Sequence, residues 1–359
     1  KLIHISSLYP VVPVVELAEK LANITPGRLE KCYFTASGTE ADETAVMMAQ
    51  LYTGNSEIIA LRYGYSGRSL LAQSLTAHSS WRALPTQVSS IKHAMSPYCY
   101  RCPLKLTYPD CGVACAEDVD ELIKTTTTGK IAGIMIEPIQ GVGGFITPPK
   151  EYFAIVAEII RKYDGLFISD EVQTGFGRTG KMWGIQHYGV EPDIITMAKA
   201  TTNGVVPMGA VAVKEEIYNT VMDASPKGAV ELFHGYTYSG IPIAVAAALA
   251  VQDIFEKEDI FKRAKELSPY FLDGLFSLKD LDCIENIRGH GMMGGIDIKV
   301  KEKPGKAGFA CFKECYEVGV NFKATGDCLI IAPAYVCEKK HIDEIFEKLR
   351  TGIKNYMKK

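Results

Sequence analysis

The sequence predicts an α/β fold: a mainly parallel sheet flanked by helices on both faces, followed by a smaller C-terminal α+β unit. Three observations carry this reading. Short apolar runs alternate with stretches of helical apolar spacing through the first two thirds of the chain. Runs such as IAGIMI (131–136) and DIITMA are continuously apolar, as strands buried on both faces should be. From about residue 258 the texture changes to charged amphipathic helix and scattered short strands, so the division runs 1–256 and 257–359.

In chain order, residues 13–22 carry helical spacing that Pro26-Gly27 stops. KCYFTA (31–36) reads as a strand that ends at Ser37-Gly38-Thr39-Glu40. After it Ala41, Ala45, Met48 and Tyr52 recur on one helical face. EIIALR (57–62) is a second strand leading into Tyr63-Gly64-Tyr65-Ser66-Gly67. A helix near 116–124 precedes the strand 131–137, which breaks at Pro138, and 149–163 is an amphipathic helix with proline at its start. The apolar run LFIS closes on Asp170 and Glu171, and DIITMA closes on Lys199. A loop and strand, a small-residue helix (243–255) and the charged helix follow. Strands around 284–298, a helix at 306–318, a strand at 328–333 and a helix at 339–356 complete the chain.

The polar residues of interest cluster where strands end, which is where open α/β sheets bind ligands. A strand, tight glycine turn and helix at 31–41 aims N–H groups and the positive end of a helix dipole at an anion, so a phosphate is the natural guest. Tyr65 on its glycine-flanked loop can stack on a planar ring. A carboxylate such as Asp170 can hold a pyridine nitrogen protonated, and a lysine such as Lys199 can form an imine with an aldehyde. Each residue taken alone also fits a turn cap or a surface lysine.

The chain has 359 residues, 47% of them hydrophobic, enough for a large core. A net charge of −3 leaves no basic excess to draw it onto nucleic acid or an anionic membrane. No apolar run reaches the ~18 residues of a membrane span, and no signal peptide opens the chain, so the cytoplasm is expected. The abrupt start at Lys1 suggests a missing beginning. The ten cysteines read mostly as reduced, buried thiols. Cys99, Cys102, Cys111 and Cys115 have the count of a four-thiolate zinc or iron-sulfur site; the alternative is an excursion loop whose thiols stay free, and no metal is assigned.

Seven motifs in order, TASGTEA, RYGYSGRS, IEPIQGVGG, ISDEVQTGFGRTGKMW, PDIITMAKA, HGYTYSG and IRGHGMMGGI, give a chain that resembles the class III pyridoxal-phosphate aminotransferases of fold type I. HGYTYSG and TGDCLIIAP are most similar to the omega-amino-acid (β-alanine):pyruvate transaminases. The resemblance implies a seven-stranded sheet in a large cofactor domain and a ping-pong transfer of an amino group. The donor would be an omega-amino acid or primary amine, and the acceptor pyruvate, glyoxylate or 2-oxoglutarate. It implies pyridoxal 5′-phosphate on Lys199 as a Schiff base, with Asp170 on the ring nitrogen and the amides of Gly38 and Thr39 on the phosphate. Tyr65 and Val172 would flank the ring, Gln173 would reach its hydroxyl, and Glu137 would sit near the substrate. Thr237 would complete the neighbouring subunit's phosphate site, which makes the unit a homodimer or a dimer of dimers.

The chain departs from the family pattern in three places. Ser66 replaces a histidine, Ile241 stands where the family has His or Asn, and Lys323 stands at the family's carboxylate-binding arginine, offering a point charge in place of a planar fork. The family also carries several tens of residues ahead of this start, which supply pocket aromatics and part of the dimer contact. Racemases, phospho-lyases, an aminomutase and a decarboxylase share the scaffold, and a truncated, non-catalytic member is a further alternative.

Overall fold

The computed structural model describes residues 2–6, 9, 11–85, 87–228, 234–301 and 303–359. Residues 231–233, at the front of the segment expected as a polar loop, lie outside them.

Seven strands form the larger sheet: β1 Lys31–Thr35, β2 Glu57–Leu61, β3 Ile91–Ala94, β4 Ile131–Ile136, β5 Leu166–Asp170, β6 Ile194–Met197 and β7 Gly209–Val213. Their order is β1-β7-β6-β5-β4-β2-β3. β3, β2, β4, β5 and β6 pair in parallel, whereas β7 runs antiparallel to both β6 and β1. The sheet is therefore mixed, with one reversed strand. β3 was not visible in the sequence because IKHA has only two apolar side chains facing in.

Helices cover both faces. α1 (Val12–Ile24), α4 (Ala114–Thr126), α5 (Tyr152–Lys162) and α7 (Pro242–Lys257) pack on one; α2 (Gly38–Thr53), α3 (Leu70–Leu75) and α6 (Glu215–Asp223) pack on the other. The strands split their side chains between the two layers. On β7, Ala210 and Ala212 join the first core and Val211 and Val213 the second. This two-sided burial is why every residue of β4 to β7 is buried and why their sequences read as unbroken apolar runs. α5 starts at Tyr152, not at 149, because the Pro149 carbonyl closes a turn onto the Tyr152 N–H first.

Beyond α7 come α8 (Ile260–Phe276), β8 (Ile284–His290), β9 (Met293–Ile298), α9 (Ala307–Glu317), β10 (Lys323–Thr325), β11 (Cys328–Ile331) and α10 (Lys339–Lys358). The four strands make an antiparallel sheet in the order β10-β11-β9-β8, and its own core includes Phe271, Ile296, Leu329, Leu349 and Ile353. Arg288 on β8 ties this sheet to the larger one: it pairs with buried Asp297, donates to the Gly144 carbonyl at 2.7 Å and lies over the Tyr98 ring.

All ten cysteines are free thiols. Cys99, Cys102, Cys111 and Cys115 line one small cavity of about 20 Å³. Among the described residues no group of three or more His, Cys, Asp or Glu could hold a metal ion. Burial and the neighbouring thiols push Cys115 up to about 12.

Candidate active site

Strands β1, β2, β4, β5 and β6 run the same way, so their carboxyl ends share one edge of the sheet. There a cavity of about 620 Å³ is lined by Gly38, Thr39, Tyr65, Glu137, Asp170, Val172, Gln173, Lys199 and Lys323. A second cavity of about 520 Å³ is lined in part by Val172, Gln173 and Lys199 as well, so these three stand between the two spaces.

The turn after β1 is locked by its own side chains. Ser37 caps α2 by accepting from the Glu40 N–H at 3.2 Å, and the Glu40 carboxylate accepts from the Ala36 N–H at 2.7 Å. The N–H groups of Gly38 and Thr39 have no partner among the described residues, leaving two donors and the helix dipole free for an anion. Two glycines allow the close packing here. A Cβ at Gly38 would come within 3.2 Å of both Val172 methyls, and at Gly67 (φ +126°) it would meet Thr39 Oγ1 at 2.1 Å.

Asp170 ends β5 and is buried; its Oδ1 accepts from the Val172 N–H at 3.0 Å. Burial raises its carboxyl to about 6, against the pull of the Val172 N–H and of the Lys199 charge. Glu171 beside it points into the core, where Thr174 donates to it and the Gly184 and Ile185 N–H groups do so at 2.8 Å, which pins the loop after β5. Lys199 begins a one-turn helix immediately after β6 and has φ +39°, a left-handed conformation for a residue with a Cβ. Its side chain is exposed to the cavities it lines.

Glu137 follows β4, and its two carboxylate oxygens are engaged by backbone, accepting from Tyr65 N–H at 3.0 Å and Gly141 N–H at 2.8 Å. Burial and the charge of Asp170 raise it to about 8. Its position fixes the Tyr65 loop against the Gly141 turn. Thr237 lines neither cavity; it is exposed, and its carbonyl accepts from His4 Nε2 at 2.9 Å. Lys323 opens β10 and places Nζ 4.5 Å from the centroid of the Trp81 ring.

Three residues of the cavity went unremarked in the sequence. Arg68 and Trp81 line it near Lys323, and Asp42 of α2 lines it as well. Asp42 is buried; burial, then the charge of Asp170, pushes its carboxyl well above the usual range. Asp42 sits in the quoted helix, one residue past the motif TASGTEA, and its helical position on the inward face was a usable signal. Trp81 lies in a stretch with no periodicity and gave none.

The profile of the Aminotransferase class-III family matches residues 1–353. The chain belongs to the class III aminotransferases. It is 35% identical over 351 residues to an omega-amino acid–pyruvate aminotransferase of Pseudomonas putida, covering 92% of this chain and 76% of that protein. It is also 35% identical over 367 residues to a leucine/methionine racemase of Thermococcus litoralis, covering 98% and 80% respectively. Among solved structures, an (S)-enantioselective omega-transaminase from Thermomicrobium roseum superposes with a TM-score of 0.92 at 32% identity, covering 99% of this chain and 82% of that one. The mixed seven-stranded sheet with a second small sheet is the fold type I architecture of these enzymes.

As a class III aminotransferase the protein depends on pyridoxal 5′-phosphate. The residues present fit that group on two observations: unpartnered N–H donors at the start of α2 suit its phosphate, and a buried carboxylate with one oxygen uncommitted to backbone suits its ring nitrogen.

Proposed function

We propose that this aminotransferase moves the amino group of an omega-amino acid or primary amine to a small 2-oxo acid such as pyruvate, by a ping-pong cycle. The observation that carries this reading is the joining of Lys199, Asp170 and the free α2 donors in one cavity at a single sheet edge. The named relative that uses omega-amino acid and pyruvate supports the substrate class.

Bound pyridoxal phosphate supplies an electrophilic aldehyde carbon and a ring able to accept an electron pair. Lys199 Nζ would provide the amine that holds this group. With that group bound, Lys199 Nζ would be the base that takes the proton from the substrate's amine-bearing carbon and the acid that gives it back. Asp170, one oxygen of which is held by the Val172 N–H, would keep the ring nitrogen protonated. A cation at that nitrogen would further favour the charged form of a carboxyl that burial raises to about 6 against the Val172 N–H and the Lys199 charge. Gly38 and Thr39 would hold the phosphate, Tyr65 and Val172 would bound the ring, and Gln173 would serve its hydroxyl. Glu137 positions the Tyr65 loop, and Lys323 receives the substrate carboxylate.

Thr237 is exposed and lines neither cavity of its own chain, which supports a homodimer in which it serves the partner's site. We further propose residues 1–256 as the cofactor domain and 257–359 as the small domain. Ten free thiols favour a reducing, cytoplasmic setting.

The test is a pair of half-reactions. The visible absorbance of the bound cofactor should change on adding β-alanine or propylamine alone and be restored by pyruvate. The relative named as a racemase defines the second reading. Conversion of an L-amino acid to its D-form with no need of a 2-oxo acid would establish that reading and overturn ours.

A further inference from the structure

On β5, Leu166 and Ile168 pack in the layer beneath α2, and strand alternation sends Asp170 to the same face. On β6, Ile194 packs there too, and Thr196 follows it, opposite Asp170 in the strand register. The inward stripe of α2, Ala45, Val46 and Ala49, continues back to Asp42 in the first turn. Helix and sheet thus bring a second carboxyl to the cavity that Asp170 and Lys199 line. Asp42 is 2% exposed and Asp170 4%, so both acids are withdrawn from water.

The two carboxyls differ in what holds them. Asp170 Oδ1 accepts from the Val172 N–H at 3.0 Å, whereas Asp42 Oδ1 is buried with no hydrogen-bond partner among the described residues. The other acids of the same helix are engaged elsewhere, Glu40 by the Ala36 N–H and Glu43 by the Ser69 hydroxyl. Two neighbouring buried carboxyls resist ionising together, and the one that has a donor gives up its proton first. Burial, then the charge of Asp170 and that of Glu137, push the Asp42 carboxyl well above its usual range, while the Thr196 hydroxyl and the Lys199 ammonium pull it down.

We infer that Asp42 is a positioning residue that keeps its proton: a neutral acid near Asp170 whose O–H dipole stabilises the Asp170 charge and, through it, the protonated ring nitrogen of the cofactor. This rests on Asp170 as the partner of that nitrogen and deepens that reading. An unpartnered buried oxygen costs less on a neutral carboxyl than on a carboxylate. One negative charge then faces the ring, on the carboxyl that has the backbone donor. An ionised Asp42 would instead repel the Asp170 charge and make it harder to form. The two states therefore move Asp170 in opposite directions when Asp42 is replaced.

The affinity for pyridoxal 5′-phosphate is measured from its visible absorbance at a series of pH values around 6, where Asp170 titrates. Asp42→Leu, which removes the acid at similar volume, should move the acid-side fall in affinity upward by about one pH unit, or about tenfold weaker binding at a fixed pH on that side. Asp42→Asn, which keeps a neutral polar group, should move it much less. Infrared difference spectra of the loaded wild type against Asp42→Asn at neutral pH should show the C=O stretch of a protonated carboxyl in the wild type only. That measurement reads Asp42 even if Asp42→Leu fails to fold. A downward shift in both variants, or the absence of that stretch, would overturn the proposal by showing Asp42 ionised. An acid-side fall unmoved in both variants would overturn it as well, leaving Asp42 a packing residue. Neither readout requires amino transfer, so both stay decisive if the transaminase reading fails.

Discussion

Lys199 combines two demands that pull in different directions. It must present a side chain at the end of β6, and it does so with φ +39°, where a Cβ is crowded by backbone. If that conformation is held for chemistry, Lys199→Gly should make the cofactor-free protein more stable than Lys199→Ala by about 1 kcal/mol, because glycine tolerates left-handed backbone. Urea denaturation of the two variants measures this; both should be unable to complete a turnover. Glu171 gives a pH dependence with a definite sign. Burial raises its carboxyl from 4.5 to about 7, despite the hydrogen bonds from Thr174, Ile185 and Gly184 that pull it down. Between those values the unfolded chain releases a proton that the folded chain keeps, so this group's contribution to stability is full below 4.5 and falls as pH rises towards 7. Glu171→Gln should lower stability throughout but flatten the slope in that window, read from urea midpoints at successive pH values. The sequence revealed that Asp170 and Lys199 close apolar strands; apolar spacing alone did not reveal which of Asp170 and Glu171 faces the cavity, and the family resemblance pointed to Asp170. That choice is set by the pleat and by the Gly184 and Ile185 N–H groups, which come from a loop further along the chain.

The elements around the site were the most legible part of the chain. Strand, glycine turn and helix at 31–53 follow from apolar spacing and the glycine turn, and the structure adds a cap in which Ser37 accepts from the Glu40 N–H and Glu40 from the Ala36 N–H. Ser37→Ala should cost about 1 kcal/mol of stability by removing the cap. It should also weaken cofactor binding, because the turn that aims the Gly38 and Thr39 donors is then free to fray. Equilibrium denaturation and a cofactor titration on one preparation test both. Less legible were β3, α3, α6 and β10, each short and each held by packing against a neighbour rather than by its own pattern. β10 spans only Lys323–Thr325 and exists because β11 offers it an edge to pair with. The antiparallel setting of β7 was hidden for a related reason: GAVAV is buried on both faces whichever way it runs.

At the scale of the molecule, two sheets with separate cores are joined where Arg288 reaches Gly144 and Tyr98, and the small sheet thereby brings Lys323 to the cavity of the large one. The sequence could not show that meeting, since it depends on contacts between residues more than a hundred positions apart. Among the described residues no helix is long and apolar enough to cross a membrane. If Thr237 serves the partner's site, mixing Lys199→Ala and Thr237→Val subunits should restore about a quarter of the sites, because each hybrid dimer keeps one intact pair. Activity that stays at the level of the separate variants would mean each chain builds its site alone. The most direct test of the whole account is to load the protein with pyridoxal 5′-phosphate, reduce it with borohydride and map the modified residue by peptide mass spectrometry. The account predicts a pyridoxyl group on the peptide containing Lys199 and its absence after Asp170→Ala weakens cofactor retention; a group on another lysine, or none in the wild type, would contradict it.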